Sequence, residues 1–474
     1  MIKLLILFIF LIILIVLSIM TSSRSLLNPQ FLFISGFALS IGYAFFYIRE
    51  MQLDLSAETF FVLFSGIFVF FAVSVISQTI SSIREKKYIE NKPLDGSIVV
   101  KDSCRVSVDF WKMIIFLALN ALCLVLFIRY LRAFSGKNSI SEAIRYFDHV
   151  KKFTSKNVDV PALVSVLRMA SAAIIYICIY LLAHQLIHHY KQNRILLYAN
   201  IAIGCVNTIL SGGRSGILEY IFGFVIMAYF IYKAKYDYKK RIPSRVIAFI
   251  ICAILLAVPV FYLSASLMGR GKQTDIFHYI CIYLSGEIKN LDIFIRKGIF
   301  GTSISKSQTL ISLRLTIIPK FGITGWTSKL VLPFVDVDGF GTGNVYTIFY
   351  MFMYDGGYPL LFFYTILMAL ITSFSYRYVK NVRFKKYYNT INIPLIIYSQ
   401  IAFTVLFSFF SDRFYELIFN LEFWRKNIIL VVLVWFVTRF KFITSNETVM
   451  EIKKRDFILF NNQYVVKNRG GNVE

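Results

Sequence analysis

Residues 195–232 read ILLYANIAIGCVNTIL-SGGRSG-ILEYIFGFVIMAYFIY. Two apolar runs, each long enough to approach the roughly 30 Å of a bilayer's hydrocarbon core, are separated by six residues, Ser211–Gly216. Such a turn is too short for a soluble domain and too polar to stay in hydrocarbon. It predicts a helix–turn–helix at a membrane boundary. Arg214 has no carboxylate beside it, and an arginine at the bilayer centre costs about 2.5–3.5 kcal/mol on insertion scales. Gly212 and Gly213 bring backbone N–H groups close to whatever the guanidinium meets. The arrangement suits an anion such as a phosphate. The alternative is a snorkelling arginine that marks a helix end.

The whole chain follows the same pattern. Of 474 residues 57% are hydrophobic, 17% aromatic and only 16% charged, with a mean hydropathy of +0.66. The class is an all-α polytopic integral membrane protein. Apolar runs lie near 2–20, 30–48, 58–78, 110–128, 162–186, 195–211, 216–232, 246–265, 356–375, 393–411 and 427–442. They predict about eleven transmembrane helices, with a range of about 10–13. The run 2–20 is too long, and lacks the small-residue site, for a cleaved leader. Residues 344–355 extend the ninth helix or lie at the membrane surface. Residues 1–265 form the N-terminal membrane part, 266–343 one large extracytoplasmic loop, 344–442 the C-terminal membrane part, and 443–474 a polar cytoplasmic tail.

Net charge is +25. In a hydrophobic chain this points to cytoplasmic loops and anionic lipid-borne ligands, not to nucleic acid. The connections at 79–111, 233–245 and 376–392 are strongly basic and fall on one side of an eleven-span chain, hence cytoplasmic. The Ser211–Gly216 turn, the 266–343 loop and Ser411-Asp412-Arg413 then lie outside. The 129–161 connection (Arg129, Arg132, Arg145, Lys151, Lys152) is basic and outside as well, against the charge rule. Within the long loop, Asp275–Arg296 and Leu310–Ile318 carry helical apolar spacing and are predicted to lie on the membrane or over a cavity. The six cysteines show no paired spacing, so neither disulfides nor a thiolate metal site is expected.

Other polar groups stand out against this background. Glu219, in the span after Arg214, reads as the buried partner of an arginine such as Arg168, or as an acid or base. Gly339-Phe340-Gly341-Thr342-Gly343-Asn344-Val345-Tyr346, followed by Tyr354-Asp355-Gly356-Gly357, is a glycine-rich approach to a carboxylate at the mouth of a span. It is neither a Walker loop nor a dinucleotide fingerprint. Asp412–Arg413 with Glu416 reads as a local ion pair or a site. Asp336 and Asp338 form a DxD, more often solvated than metal-binding. His184 and His188 share a helix face without a third ligand, so no zinc site is expected. His278 reads as an interfacial histidine or a proton shuttle.

Together, Leu210-Ser211-Gly212-Gly213-Arg214-Ser215-Gly216 opening a span, the large outer loop, and Gly343-Asn344-Val345-Tyr346 with Asp355-Gly356-Gly357 opening the next span resemble the O-antigen polymerase family, the Wzy-type oligosaccharide repeat-unit polymerases. The resemblance covers roughly residues 160–420. It implies a GT-C-like helical fold in the bacterial cytoplasmic (inner) membrane, and an enzyme joining repeat units carried on undecaprenyl pyrophosphate at the outer face. It implies no cofactor and no metal. A chain-length regulator and a flippase of the same pathway are implied partners, besides membrane lipid. Under this reading Arg214, Arg270 and Arg413 are candidates to bind the pyrophosphate, Arg214 also stabilising charge at the leaving group. Asp355 or Glu287 is the candidate base, and Asn344 and Tyr346 are candidates for glycan binding. An O-antigen ligase-like transferase is the nearest alternative. A flippase or other transporter fits less well, because the charges gather at the outer boundary and not at the midplane.

Overall fold

A computed structural model of the chain describes residues 1–21, 26–91, 105–153, 159–212, 215–236, 276–301, 307–316, 332–380 and 390–439. The helices are α1 (Ile2–Thr21), α2 (Pro29–Ala44), α3 (Ala57–Asn91), α4 (Phe110–Ser135), α5 (Ile140–Phe153), α6 (Ala162–Ile187), α7 (Arg194–Leu210) and α8 (Ser215–Lys235). They continue as α9 (Ile276–Arg296), α10 (Ile311–Thr316), α11 (Ile348–Lys380), α12 (Ile393–Leu406), α13 (Arg413–Ile418) and α14 (Leu421–Arg439). A small hairpin, β1 (Val335–Val337) and β2 (Phe340–Gly343), precedes α11. The chain divides into two units, Met1–Val434 and Trp435–Glu474. Of the second, residues 435–439 are described.

Seven described helices are long and apolar enough to cross a membrane: Ile2–Thr21, Pro29–Tyr47, Ala57–Ser81, Phe110–Ser135, Ala162–Ile187, Ser215–Lys235 and Ile348–Lys380. The protein is an all-α, multi-pass membrane protein. Two further apolar helices, Arg194–Leu210 and Ile393–Phe409, are shorter. The run 246–265 lies outside the described residues. Lipid exposure is legible on α1: Leu4, Leu7, Leu11 and Leu14 are buried, while Ile6, Ile9, Ile13 and Val16 stay about half exposed. In water such a face would be costly; in hydrocarbon it is the expected surface.

Local chemistry sets the helix ends. Asn28 caps α2, its Oδ1 accepting from the Phe31 N–H at 2.7 Å with Pro29 in the first turn. Asn392 does the same for α12 through the Leu395 N–H at 3.0 Å. Between helices, buried amides act as clasps. Asn120 Nδ2 donates to Asn200 Oδ1 at 2.9 Å, and Asn207 Nδ2 donates to Ser171 Oγ at 3.0 Å, joining α4, α6 and α7. Small residues allow close approach. A Cβ on Gly36 would overlap the Leu406 carbonyl oxygen. A Gly36→Ala chain is therefore expected to lose about 1–3 kcal/mol through overpacking, read as a lowered melting temperature of the purified protein.

The two ends of the bundle gather different loops. At one end, the Met1 ammonium meets Asp54, Lys289 Nζ donates to Gln52 O, and Tyr283 stacks on Phe410. At the other, Tyr398 OH donates to Leu27 O, Arg377 to Ser77 O, Tyr180 OH to Thr390 O, and Lys235 to Ile187 O. These are the two sets that the charge pattern assigns to opposite sides. The first set, on the side that the charge pattern predicts to be outside, is called the outer end below.

Helix α9 lies at the outer end and is stitched to its neighbours by polar side chains. Buried Asp292 accepts from Ser56 N–H and Thr59 Oγ1, both at 2.8 Å, and pairs with Arg296 at 2.8 Å. This carboxylate therefore secures the start of α3. Asn290 Nδ2 donates to Val345 O at 2.8 Å and its Oδ1 accepts from Thr342 Oγ1 at 2.6 Å, fixing the hairpin. Gly286 permits this approach, since a Cβ there would sit 2.6 Å from Thr342 O.

Helix α11 is broken at Gly356 and Gly357, whose backbone leaves the helical region; Gly357 has φ +64°. Phe349, before the break, packs against Gly66, while Tyr358, after it, packs against Phe61, nearer the start of α3. The residues 348–355 thus form a separate short helix ahead of the long span.

Candidate functional site

The outer end contains a cavity of about 230 Å³ between α6, the end of α7, the start of α8, and the α13–α14 junction. Its lining includes Arg168, Asn207, Ser211, Tyr220, Glu422 and Lys426. It opens beside the turn singled out in the sequence. Arg214 itself lies outside the described residues, as does Arg270. Gly212, which is described, adopts φ +78°, the left-handed region that favours glycine. A Cβ there would stand 2.7 Å from Asp148 Oδ1. Helix α5 therefore rests directly on this turn.

Helix α5 is amphipathic. Ala143, Ile144 and Phe147 join Phe127, Leu131, Val164 and Leu210 in one apolar cluster. Arg145, Tyr146 and His149 remain exposed. The basic 129–161 connection is thus in part a helix laid over the outer end, with Arg145 and His149 exposed and Asp148 buried against Gly212.

The expected Arg168–Glu219 pair does not form. Glu219 accepts a short hydrogen bond from Tyr176 OH and pairs with Lys426 Nζ at 3.7 Å. Lys426 also sits over the Tyr176 ring, 5.1 Å from its centroid. Arg168 faces the Phe127 ring at 4.7 Å. Among the described residues it makes no hydrogen bond and no ion pair. The sequence marks Arg168 only as a partner and gives little notice of Lys426. The one signal for the latter is Arg425-Lys426 at the head of the last apolar run.

The other candidate residues belong to the α9–hairpin–α11 region. Asp355 is buried and occupied: its Oδ2 accepts from Ser307 Oγ at 2.6 Å and Thr309 N–H at 3.0 Å, and Oδ1 from Gln308 N–H at 2.7 Å. It is the anchor of the 307–310 turn. Glu287 is fully buried, its Oε1 accepting from Ser40 Oγ at 2.7 Å. Burial pushes its carboxyl up to about 8, the Ser40 hydroxyl partly opposing this. Tyr346 is buried, donates to Pro333 O at 3.0 Å, and packs against Tyr350. Burial pushes its phenol up to about 12. Asn344 is half-buried just past the hairpin. Neither Asp355, Glu287 nor Tyr346 lines the cavity described above.

Arg413 pairs with Glu416 at 3.6 Å. Its neighbour Asp412 is not its ion-pair partner; Asp412 caps α13 by accepting from the Tyr415 N–H at 3.0 Å. Burial, then the Glu416 carboxylate, hold the Asp412 carboxyl well above the usual carboxylate range. The DxD is also spent locally. Asp338 and Gly339 form the hairpin turn with positive φ, as a two-residue hairpin of this kind requires. Asp336 Oδ1 accepts from the Gly339 N–H at 2.7 Å, and Asp338 Oδ2 from Gln52 Nε2 at 2.6 Å. His184 Nδ1 lies 3.0 Å from Tyr190 OH and its ring stacks on His188, at the end opposite the cavity. His278 meets Phe340 edge-on.

The described residues therefore divide into a carboxylate-rich region whose acids are engaged in structure and a cavity that holds cations. No protein-family model, no curated protein and no solved structure matches this chain.

Proposed function

We infer that the chain is a membrane glycosyltransferase on a GT-C-like scaffold. It polymerises undecaprenyl-pyrophosphate-linked oligosaccharide repeat units into a surface polysaccharide, an O-antigen or capsule, at the outer face of the bacterial cytoplasmic membrane. The observation that carries this reading is the cavity beside Ser211–Gly212, lined by Arg168 and Lys426, at the end of the bundle opposite Lys235 and Arg377. In such a transfer the bond between the donor sugar and the lipid pyrophosphate breaks. A new glycosidic bond forms to an acceptor hydroxyl, whose proton passes to a carboxylate. Negative charge grows on the departing pyrophosphate, and pre-placed cations in a partly dry site stabilise it. The acid that lines the same cavity is Glu422, exposed at its rim. Asp355 is engaged by the 307–309 turn and Glu287, on α9, by Ser40 instead. A chain-length regulator and a flippase would work beside such an enzyme.

The test is a size-resolved gel of surface polysaccharide from a host lacking the gene and from the same host with the gene restored. Single repeat units in the deletion, with long chains returning on restoration, are expected. Unchanged chain lengths in the deletion would sink the polymerase reading. Long chains made but left unattached would replace it with a ligase-like transferase.

A further inference from the structure

Among the described residues, Arg168 is a charged side chain whose surroundings do not account for it. It sits on α6, a span of 26 residues, half-buried, with the Phe127 ring on one side and the cavity beside it. A guanidinium stays charged at any physiological pH and carries five N–H donors. In a membrane helix such a group is normally paired with a carboxylate or with backbone carbonyls, because its desolvation is costly. Here Glu219, the acid one would give it, is taken by Tyr176 and Lys426, and Arg168 has no hydrogen-bond or ion-pair partner among the described residues. The second cation, Lys426, is 15% exposed and held by Glu219 at 3.7 Å, longer than a direct hydrogen bond. It is positioned but not fully engaged.

We propose that this cavity is an oxyanion site that binds the phosphate or pyrophosphate of a phosphate ester. Arg168 makes the primary contact and Lys426, lent by Glu219, the second. This rests on the reading above and deepens it by naming the residues that hold the donor's phosphates. Size limits what else enters. At about 230 Å³ the cavity falls below the roughly 300–1,000 Å³ of sites that enclose a drug-sized ligand. A phosphate or pyrophosphate group fits this volume. Tyr220 and Asn207 supply the polar wall. Glu422 at the rim carries like charge to the ligand and, being exposed, is screened by solvent. Glu219 serves as the resident counter-ion: it keeps Lys426 in place when no anion is bound, and Tyr176 continues to satisfy it when Lys426 turns to the ligand.

Purified full-length protein in nanodiscs of zwitterionic lipid tests this by titration with undecaprenyl diphosphate, and separately with inorganic pyrophosphate. Arg168→Gln removes no hydrogen bond among the described residues, so its melting temperature should stay close to the parent's. Its affinity for undecaprenyl diphosphate should fall at least about tenfold, the loss of one charge-assisted contact. Arg168→Lys should recover part of this. Lys426→Met should weaken binding less, leaving Glu219 with Tyr176. Binding of both ligands with the same dependence on Arg168 assigns a general phosphate site. Binding of the lipid alone assigns a lipid-diphosphate site. Equal affinities for the parent and Arg168→Gln, with either ligand, would overturn the proposal. Because the readout is binding, it separates from the polysaccharide gel. A host with unchanged chain lengths but an Arg168-dependent affinity would keep the site and discard the polymerase.

Discussion

Asp355→Ala is expected to unfold the 307–310 turn and to lower stability by about 3–5 kcal/mol. The reasoning is one of counting donors. A single carboxylate accepts from Ser307 Oγ, Gln308 N–H and Thr309 N–H, all three in buried positions. Removing it leaves two backbone donors and a hydroxyl without an acceptor, and each buried orphan costs about 1–3 kcal/mol. Partial collapse or water entry keeps the total toward the low end. The same residue is the candidate base in the sequence reading, and the two roles separate experimentally. An anchor predicts that Asp355→Ala melts well below the parent, and that Ser307→Ala, which removes one donor, lies between them. A base predicts that Asp355→Ala melts with the parent while chain growth stops. Thermal melting of the three proteins in nanodiscs, beside the polysaccharide gel, decides. An Asp355→Ala protein as stable as the parent would overturn the anchor assignment.

Most of the membrane architecture was legible in the sequence, because hydrocarbon enforces one rule along the whole length of a span. Ten of the eleven apolar runs fall on described helices, seven of them long and apolar enough to cross a membrane. Helix α9 was legible for a similar reason: Ile288, Leu291 and Ile295 repeat at helical spacing and are all buried. Helix α5 is masked by its charge. Ala143, Ile144, Phe147 and Val150 carry the right period, but Arg145, Lys151 and Lys152 dominate the composition of the segment. The pairing of Glu219 could not have been read. Which face of α8 meets α6 and which meets α14 depends on helix rotation, and Lys426 lies about two hundred residues away along the chain. The same limit explains Asp355. Gly356-Gly357 signals a break, but nothing in the local sequence says that residues 307–309 will return to fill it.

Glu287→Gln is expected to remove a pH dependence that the parent protein carries. The Glu287 side chain is fully buried. Its Oε1 accepts from Ser40 Oγ, while Oε2 has no partner among the described residues. A carboxylate there would be a buried, half-satisfied charge, so burial raises its value from 4.5 to about 8. Between those values the folded protein holds one more proton than the unfolded chain, so stability declines as pH rises. The slope is up to about 1.4 kcal/mol per pH unit and levels off above both values. The neutral amide that Glu287→Gln introduces is similar in shape to the protonated acid and has no such slope. The two proteins should therefore melt alike near pH 5. The parent should fall progressively below Glu287→Gln as pH approaches 8. Parallel curves across that range would contradict the assignment. The consequence for function follows from the same proton. A carboxyl that is protonated at neutral pH donates a hydrogen bond and does not accept a proton. If Glu287 were the base that activates the acceptor, chain growth would climb with pH through about 8 and collapse in Glu287→Gln. If the cavity at Arg168 and Lys426 is where charge is handled, chain growth keeps no such dependence and the substitution leaves it intact. Rate against pH for these two proteins thus separates the buried acid of α9 from the cationic cavity as the seat of the chemistry.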